Sequence, residues 1–257
     1  HESWVTLEGT VSGGSATDIS VPSMLTGIAT TASIADYRRA PVIWQEAKAR
    51  GYRTGLFSPQ NFHWLHFDEF FLSDHPPDVV RTSVDFPGSP VNDGGPPDER
   101  VVASALEFMT APSSEPFFAV LQFNATHFPY WAPGLEAIEG INDIFKNDRL
   151  GRRPRSLRYV SELLAGLFRD LEAKGILDET FVVMTADHGA GTVVIRVSRI
   201  ESNYEDVLRV PMAVHLPASF ARENPSALVA LRANAAKRTS NSDIVPTLLD
   251  VWGSWTG

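Results

Sequence analysis

Short runs of consecutive apolar residues, bounded by turn residues, set the strongest limit on what this chain folds into. Residues 117–123 and 181–185 are apolar on both faces, and 54–58 and 210–214 read as further short strands. A strand apolar on both faces is covered on both sides, as in a mostly parallel sheet. Between the runs, Leu157, Val160, Leu164, Leu167 and Leu171 recur at helical spacing and stop before Gly175. Residues 41–50, 101–109 and 241–252 read as further helices, the last with Ser242 or Asp243 near its N-cap. The alternation predicts an α/β fold: a three-layer α/β/α sandwich around a mostly parallel central sheet. Two stretches, 75–99 and 131–155, are rich in Pro and Gly and read as long surface loops.

Composition narrows the function. The chain of 257 residues is 43% hydrophobic and 21% charged, an ordinary globular balance, and its length suits one domain over 1–257 and is also compatible with two small ones. Its 22 basic against 31 acidic residues give a net charge of −9, which argues against a nucleic-acid partner. No apolar run reaches the roughly 18 residues of a membrane span. The opening His1-Glu2-Ser3-Trp4 has no signal-peptide character. Cysteine is absent, so disulfides, thiolate zinc sites and a cysteine nucleophile are excluded.

Three segments carry chemistry. In Met184-Thr185-Ala186-Asp187-His188-Gly189 a hydrophobic strand ends in an adjacent carboxylate and imidazole. Ligands gather at the carboxyl ends of strands in open α/β sheets, and this donor pair suits Zn²⁺ or Mn²⁺. The pair is equally consistent with an Asp–His hydrogen bond closing a strand. The Gly- and Ser-rich run from Ser12 leads through Thr17 into a helix start, where free N–H groups favour an anion and a hydroxyl can act as nucleophile. A capped Gly/Ser loop reads the same way. The third segment, Asn124-Ala125-Thr126-His127, places another histidine after the 117–123 strand, either to meet a substrate or leaving group or to pack on aromatic rings.

Together these segments resemble the sulfatase and alkaline-phosphatase superfamily, and within it the Thr-nucleophile phosphoethanolamine and phosphoglycerol transferases of bacterial envelopes. Residues 17–24 are similar to the nucleophile segment, His127-Phe128-Pro129-Tyr130 to the His-x-Pro-Tyr substrate loop, and 180–189 to the metal strand ending in Asp-His-Gly. Residues 204–211 resemble the segment leading into an Arg-Val-Pro strand, and 242–253 the Asp-x-x-Pro-Thr-Leu-Leu helix. The resemblance implies an alkaline-phosphatase-like fold and a metal-dependent hydrolase or transferase of phosphate or sulfate esters. Thr17 would be the nucleophile and a metal ligand, with Asp187 and His188 as the other ligands. His127 would act on the substrate or its leaving group, with Asn124 and Arg199 as substrate contacts. The implied metal is Zn²⁺ first, then Mn²⁺, Ca²⁺ or Mg²⁺. The implied partner is an anionic ester: a phospholipid head group, a glycan or a sulfate ester. An extracytoplasmic location is implied, with membrane association through segments outside this chain.

Departures from the pattern shape the alternatives. Ser20-Val21-Pro22-Ser23-Met24 has Met24 where a formylglycine motif needs Arg, which favours unmodified Thr17. Only 16 residues precede Thr17, and neither Glu2 nor Glu8 suits the acidic ligand that relatives carry a few dozen residues earlier. The expectation is a fragment lacking its first strand. Ala190 stands where many relatives have Glu, and Arg196, Arg199 and Asn203 read either as residues facing an anion or as solvated loop residues. His63 and His66 read as part of a packed aromatic segment rather than a metal site. The rival function is a catalytically inactive, sulfatase-like binding or regulatory domain.

Overall fold

A computed structural model describes residues 4–86, 95–127, 130–135, 149–189 and 205–254. The chain divides into two compact units. One combines His1–Ile43 with Gly175–Gly257, and the other is the contiguous stretch Trp44–Lys174. The described strands are β1 (Trp4–Leu7), β2 (Gly9–Val11), β3 (Arg53–Phe57), β4 (Val79–Arg81), β5 (Phe117–Leu121), β6 (Val182–Thr185), β7 (Met212–His215) and β8 (Arg238–Ser240). Helices alternate with them, as the sequence predicts.

In the contiguous unit the sheet order is β4-β3-β5 and both ladders are parallel. β3 is the central strand, with Thr54 to Phe57 all buried. The helix Asp98–Thr110 buries Val101, Ala105 and Met109, four residues apart and therefore on one face. The helix Arg149–Ala173 buries Leu167 and Leu171 at the same spacing.

In the discontinuous unit β7 pairs antiparallel with both β1 and β6, while β2 pairs parallel with β8. Val5 and Leu7 of β1 alternate inward and meet Met212, Val214 and Leu216 in the core, with Phe181, Val183 and Ile244 packed against it. The helix Thr17–Thr26 begins one residue after Ala16, and Gly27 at φ 72 ends it in the left-handed conformation glycine favours.

Most of the expected elements appear, and the fold is α/β with parallel pairing. Three features differ. β6 and β7 run antiparallel to one another, a direction that an apolar run does not report, and β6 is not covered on both faces, since Met184 is exposed. The stretch 75–99 is more than a loop: it holds edge strand β4, the 3-10 turn Ser83–Asp85 and the start of the helix at Asp98. Within 131–155, residues from Arg149 onward already belong to the long helix, with Pro154 inside it, so the proline that suggests a loop does not mark one. No described helix is long and apolar enough to cross a membrane.

Candidate active site

The turn after β6 carries Asp187, His188 and Gly189, and Thr17 opens the helix that faces it. Thr17 Oγ1 donates to Asp187 Oδ2 at 2.8 Å and stands 3.2 Å from His188 Nε2. His188 Nε2 lies 3.5 Å from the same carboxylate oxygen. Three donor atoms from two distant parts of the chain thus converge on one point.

Local hydrogen bonds aim each group. His188 Nδ1 sits 2.7 Å from the Gly189 carbonyl, which can only accept, so Nδ1 carries the hydrogen. In the neutral ring Nε2 then presents a lone pair toward Thr17. Asp187 Oδ1 accepts the His188 backbone N–H at 2.8 Å, which leaves Oδ2 for the threonine. The Asp187 and His188 side chains are 30% and 19% exposed, sheltered yet open to a ligand. Gly189 donates its N–H to the Val207 carbonyl at 2.6 Å. A Cβ at Gly189 would stand 2.3 Å from the Asp206 carbonyl oxygen, so only glycine lets the turn approach that backbone.

Behind the turn lies a buried polar clasp. Asn241, with no exposed surface, accepts the Gly13 N–H on Oδ1 at 3.0 Å. Its Nδ2 donates to the carbonyls of Asp187 at 3.0 Å and Ala186 at 3.2 Å. The Ser12 hydroxyl lies against the carbonyl of Asp187 as well as that of Gly14. Ser20, of the segment that lacks the formylglycine Arg, is buried and donates back to the Ala16 carbonyl at 3.0 Å.

The second strand-end turn belongs to the contiguous unit. After β5, the backbone N–H of Asn124 donates to both oxygens of Asp98, at 3.0 and 3.2 Å, and that of Ala125 donates to Oδ2 at 2.9 Å. Asp98 is buried, and burial raises its carboxyl to about 6 against the opposing pull of those N–H bonds. Asn124 Oδ1 accepts from Gln60 Nε2, and the His127 N–H donates to the Asn124 carbonyl at 2.9 Å, closing the turn. His127 itself is exposed.

Thr17, Asp187 and His188 are therefore brought together as the sequence predicts. Asn124 and His127 occupy one turn of the other unit. Arg199, like Arg196 and Asn203, lies outside the described residues. His63 and His66 pair singly with Asp68 and Glu69 on the surface and do not converge. Sequence reasoning missed Asp98, Asn241 and Ser12, whose partners are distant in the chain. The one local signal was a carboxylate following Pro97 at the head of an amphipathic helix.

The donor set fits part of a divalent-metal site. The separations of 2.8 to 3.5 Å among Oγ1, Oδ2 and Nε2 are those of donors that can share one small cation. Among the described residues no third carboxylate or imidazole joins them.

Comparison with known proteins places the arrangement. The sulfatase family pattern matches residues 2–254. An arylsulfatase of Volvox carteri is 27% identical over 134 residues, 49% of this chain and 19% of its own length, so the chain spans about one fifth of that relative. Among solved structures, the soluble domain of lipooligosaccharide phosphoethanolamine transferase A from Neisseria meningitidis superposes with a TM-score of 0.75 at 15% identity, covering 97% of this chain and 77% of that one. A protein in the alkaline phosphatase superfamily from Vibrio parahaemolyticus gives 0.67 at 17% identity, covering 98% and 58%. The periplasmic domain of EcEptC from Escherichia coli, in complex with Zn, gives 0.67 at 13%, covering 97% and 71%. These likenesses establish an alkaline-phosphatase-like fold. Because the family pattern runs through both strand-end turns and the helix that Thr17 opens, the chain belongs to the sulfatase family.

Proposed function

We propose that this chain is the catalytic domain, over 1–257, of a divalent-metal-dependent hydrolase or transferase that acts on phosphate or sulfate esters, with Thr17 as nucleophile. One observation carries the reading: Thr17 Oγ1 lies 2.8 Å from Asp187 Oδ2 and 3.2 Å from His188 Nε2. A free threonine hydroxyl is a poor nucleophile at neutral pH, and neighbouring groups that accept its proton correct that. Asp187 and His188 would hold the cation, with Thr17 as a further donor. When bound, the cation lowers the hydroxyl's pKa and offsets charge on the transferring group.

The chain's own residues define the rest. Asp187 Oδ2 accepts the one hydrogen of the Thr17 hydroxyl and orients Oγ, with His188 beside it, and the proton is released to solvent as Oγ bonds to phosphorus or sulfur. The ester oxygen leaves with its electron pair, and water or an acceptor alcohol later displaces the group from Thr17. Family resemblance gives His127 the role of meeting the substrate or protonating the leaving oxygen, with Asn124 and Arg199 as substrate contacts. Zinc is the preferred metal because the donors are one imidazole nitrogen and hard oxygens; a structural neighbour is a Zn complex. Substrates are anionic esters such as a phospholipid head group, a glycan or a sulfate ester. An extracytoplasmic location accords with neighbours described as periplasmic domains.

The test is metal content paired with turnover of aryl phosphate, phosphodiester and sulfate esters. Wild type is expected to hold divalent metal and turn over one ester class. Asp187→Asn should lose metal, and Thr17→Ala should keep metal and lose turnover. A wild-type chain that binds no metal and turns over nothing would leave an inactive binding domain as the better reading.

A further inference from the structure

We infer that Asn241, assisted by Ser12, is a positioning residue that sets the spacing between the Thr17 loop and the Asp187–His188 turn. This rests on the proposed roles of Thr17, Asp187 and His188. Asn241 touches none of their reacting atoms. It holds the main chain on both sides: Oδ1 takes the Gly13 N–H, and Nδ2 gives to the carbonyls of Ala186 and Asp187. Only an amide offers an acceptor and a two-hydrogen donor on one planar group, so no charged side chain could bridge an N–H and two carbonyls in this way. The Ser12 hydroxyl reaches the same Asp187 carbonyl from the nucleophile loop.

Asn241 is itself held in place. It opens a 3-10 turn whose capping box joins Ser240 and Asp243, with the Ser240 N–H 2.8 Å from Asp243 Oδ2. Next to it, Ser242 Oγ lies 2.8 Å from Ser23 Oγ of the Thr17–Thr26 helix. A Cβ on Gly13 would come within 2.9 Å of Ser242 Oγ and 3.0 Å of Thr30 Cγ2, so a side chain there would have to displace them. The amide is thus a rigid spacer between the group that attacks and the groups that activate it. A misplacement of about 1 Å in such a pair costs roughly 100-fold in rate.

The test uses the whole chain and three variants. Asn241→Asp preserves shape and the acceptor for Gly13 while turning an oxygen on two carbonyls. Asn241→Ala removes the bridge without charge, and Ser12→Ala removes only the auxiliary hydroxyl. Three quantities are measured: the kcat and KM split on the preferred aryl ester, Zn²⁺ affinity, and amide hydrogen exchange at Gly13 and Gly189 in metal-free protein. The inference expects kcat to fall about 10- to 100-fold in the Asn241 variants with KM within about twofold, and Zn²⁺ binding to weaken about tenfold or more. Gly189 exchange should quicken in both, and Gly13 exchange in Asn241→Ala. If an Asn241 variant does not fold, Ser12→Ala carries the test with an expected loss of about three- to tenfold. Folded variants with wild-type kcat, Zn²⁺ affinity and Gly189 exchange overturn the inference. If wild type itself neither binds Zn²⁺ nor turns over an ester, the proposed function falls, and the exchange rates still decide whether Asn241 holds the two loops.

Discussion

The turns after β6 and β5 solve one mechanical problem with different chemistry. Each follows an apolar strand, each carries a histidine, and each is pinned by a fully buried polar side chain from elsewhere in its own unit. The pin behind Asp187–Gly189 is the neutral amide of Asn241. The pin behind Asn124–His127 is the carboxylate of Asp98. The groups being held explain the choice. At Asn124 and Ala125 both partners are N–H donors, which an acceptor-only carboxylate satisfies with two oxygens. At Gly13, Ala186 and Asp187 the partners are one donor and two acceptors, which the oxygen and the two hydrogens of a single amide serve together. The difference also fixes how each turn answers to pH, since one pin titrates and the other does not.

The largest effect should separate the chemistry of the first turn from its scaffolding. Thr17→Ala is expected to cut turnover about 10⁴-fold or more, with the unfolding midpoint close to wild type. A loss of turnover matched by a loss of fold would erase that separation.

The next effect belongs to the second turn. Burial raises the Asp98 carboxyl from 3.8 to about 6, so between those values the folded chain keeps a proton that the unfolded chain has released. This group's contribution to stability is fully present below about pH 4, falls between about pH 4 and 6, and is level above, a step of about 3 kcal/mol at most. Denaturant unfolding of wild type and Asp98→Asn across that range should show the difference between them shrinking as pH rises. A difference that stays constant would mean the carboxylate does not titrate in this window. Asn241→Ala, which adds no titratable group, should keep the wild-type slope there.

A third change tests how tightly the first turn is packed. Gly189→Ala drives a Cβ into the Asp206 and Val207 carbonyls, and a loss of about 1–3 kcal/mol is expected by thermal unfolding, with weakened metal binding. The smallest effect is a control outside both turns. Thr247 donates its hydroxyl to the Asp243 carbonyl on an exposed helix face, so Thr247→Val should change stability by no more than about 0.5 kcal/mol and leave turnover intact.

What the sequence revealed and what it hid follow the same division. β5, β6 and the helices around Val101 and Leu167 were legible because apolar periodicity is a local signal. The Asp187–His188 pair was legible because adjacent residues at a strand end need no tertiary information to be read. The pins were not. Asn241 reaches Gly13 across 228 positions, and nothing near either residue announces the other. Asp98 sat at the edge of a Pro- and Gly-rich stretch that reads as solvated loop, although its carboxylate is almost wholly enclosed. β1, β2, β4 and β8 escaped notice because, unlike the equally short β6 and β7, they hold no run of three consecutive apolar residues. Strand direction was hidden too, since β6 and β7 are apolar whichever way they run.

The two units also differ in when they can form. β3 and β5 lie within one continuous stretch, so their ladder can close while later residues are still being synthesised. Trp4 must wait for His215, and Gly9 for Arg238. Thr17 therefore meets Asp187 and the Asn241 clasp only after the stretch between them, 170 positions to Asp187, has been made. The three converging donor atoms exist as a group only once both halves of the discontinuous unit have been made.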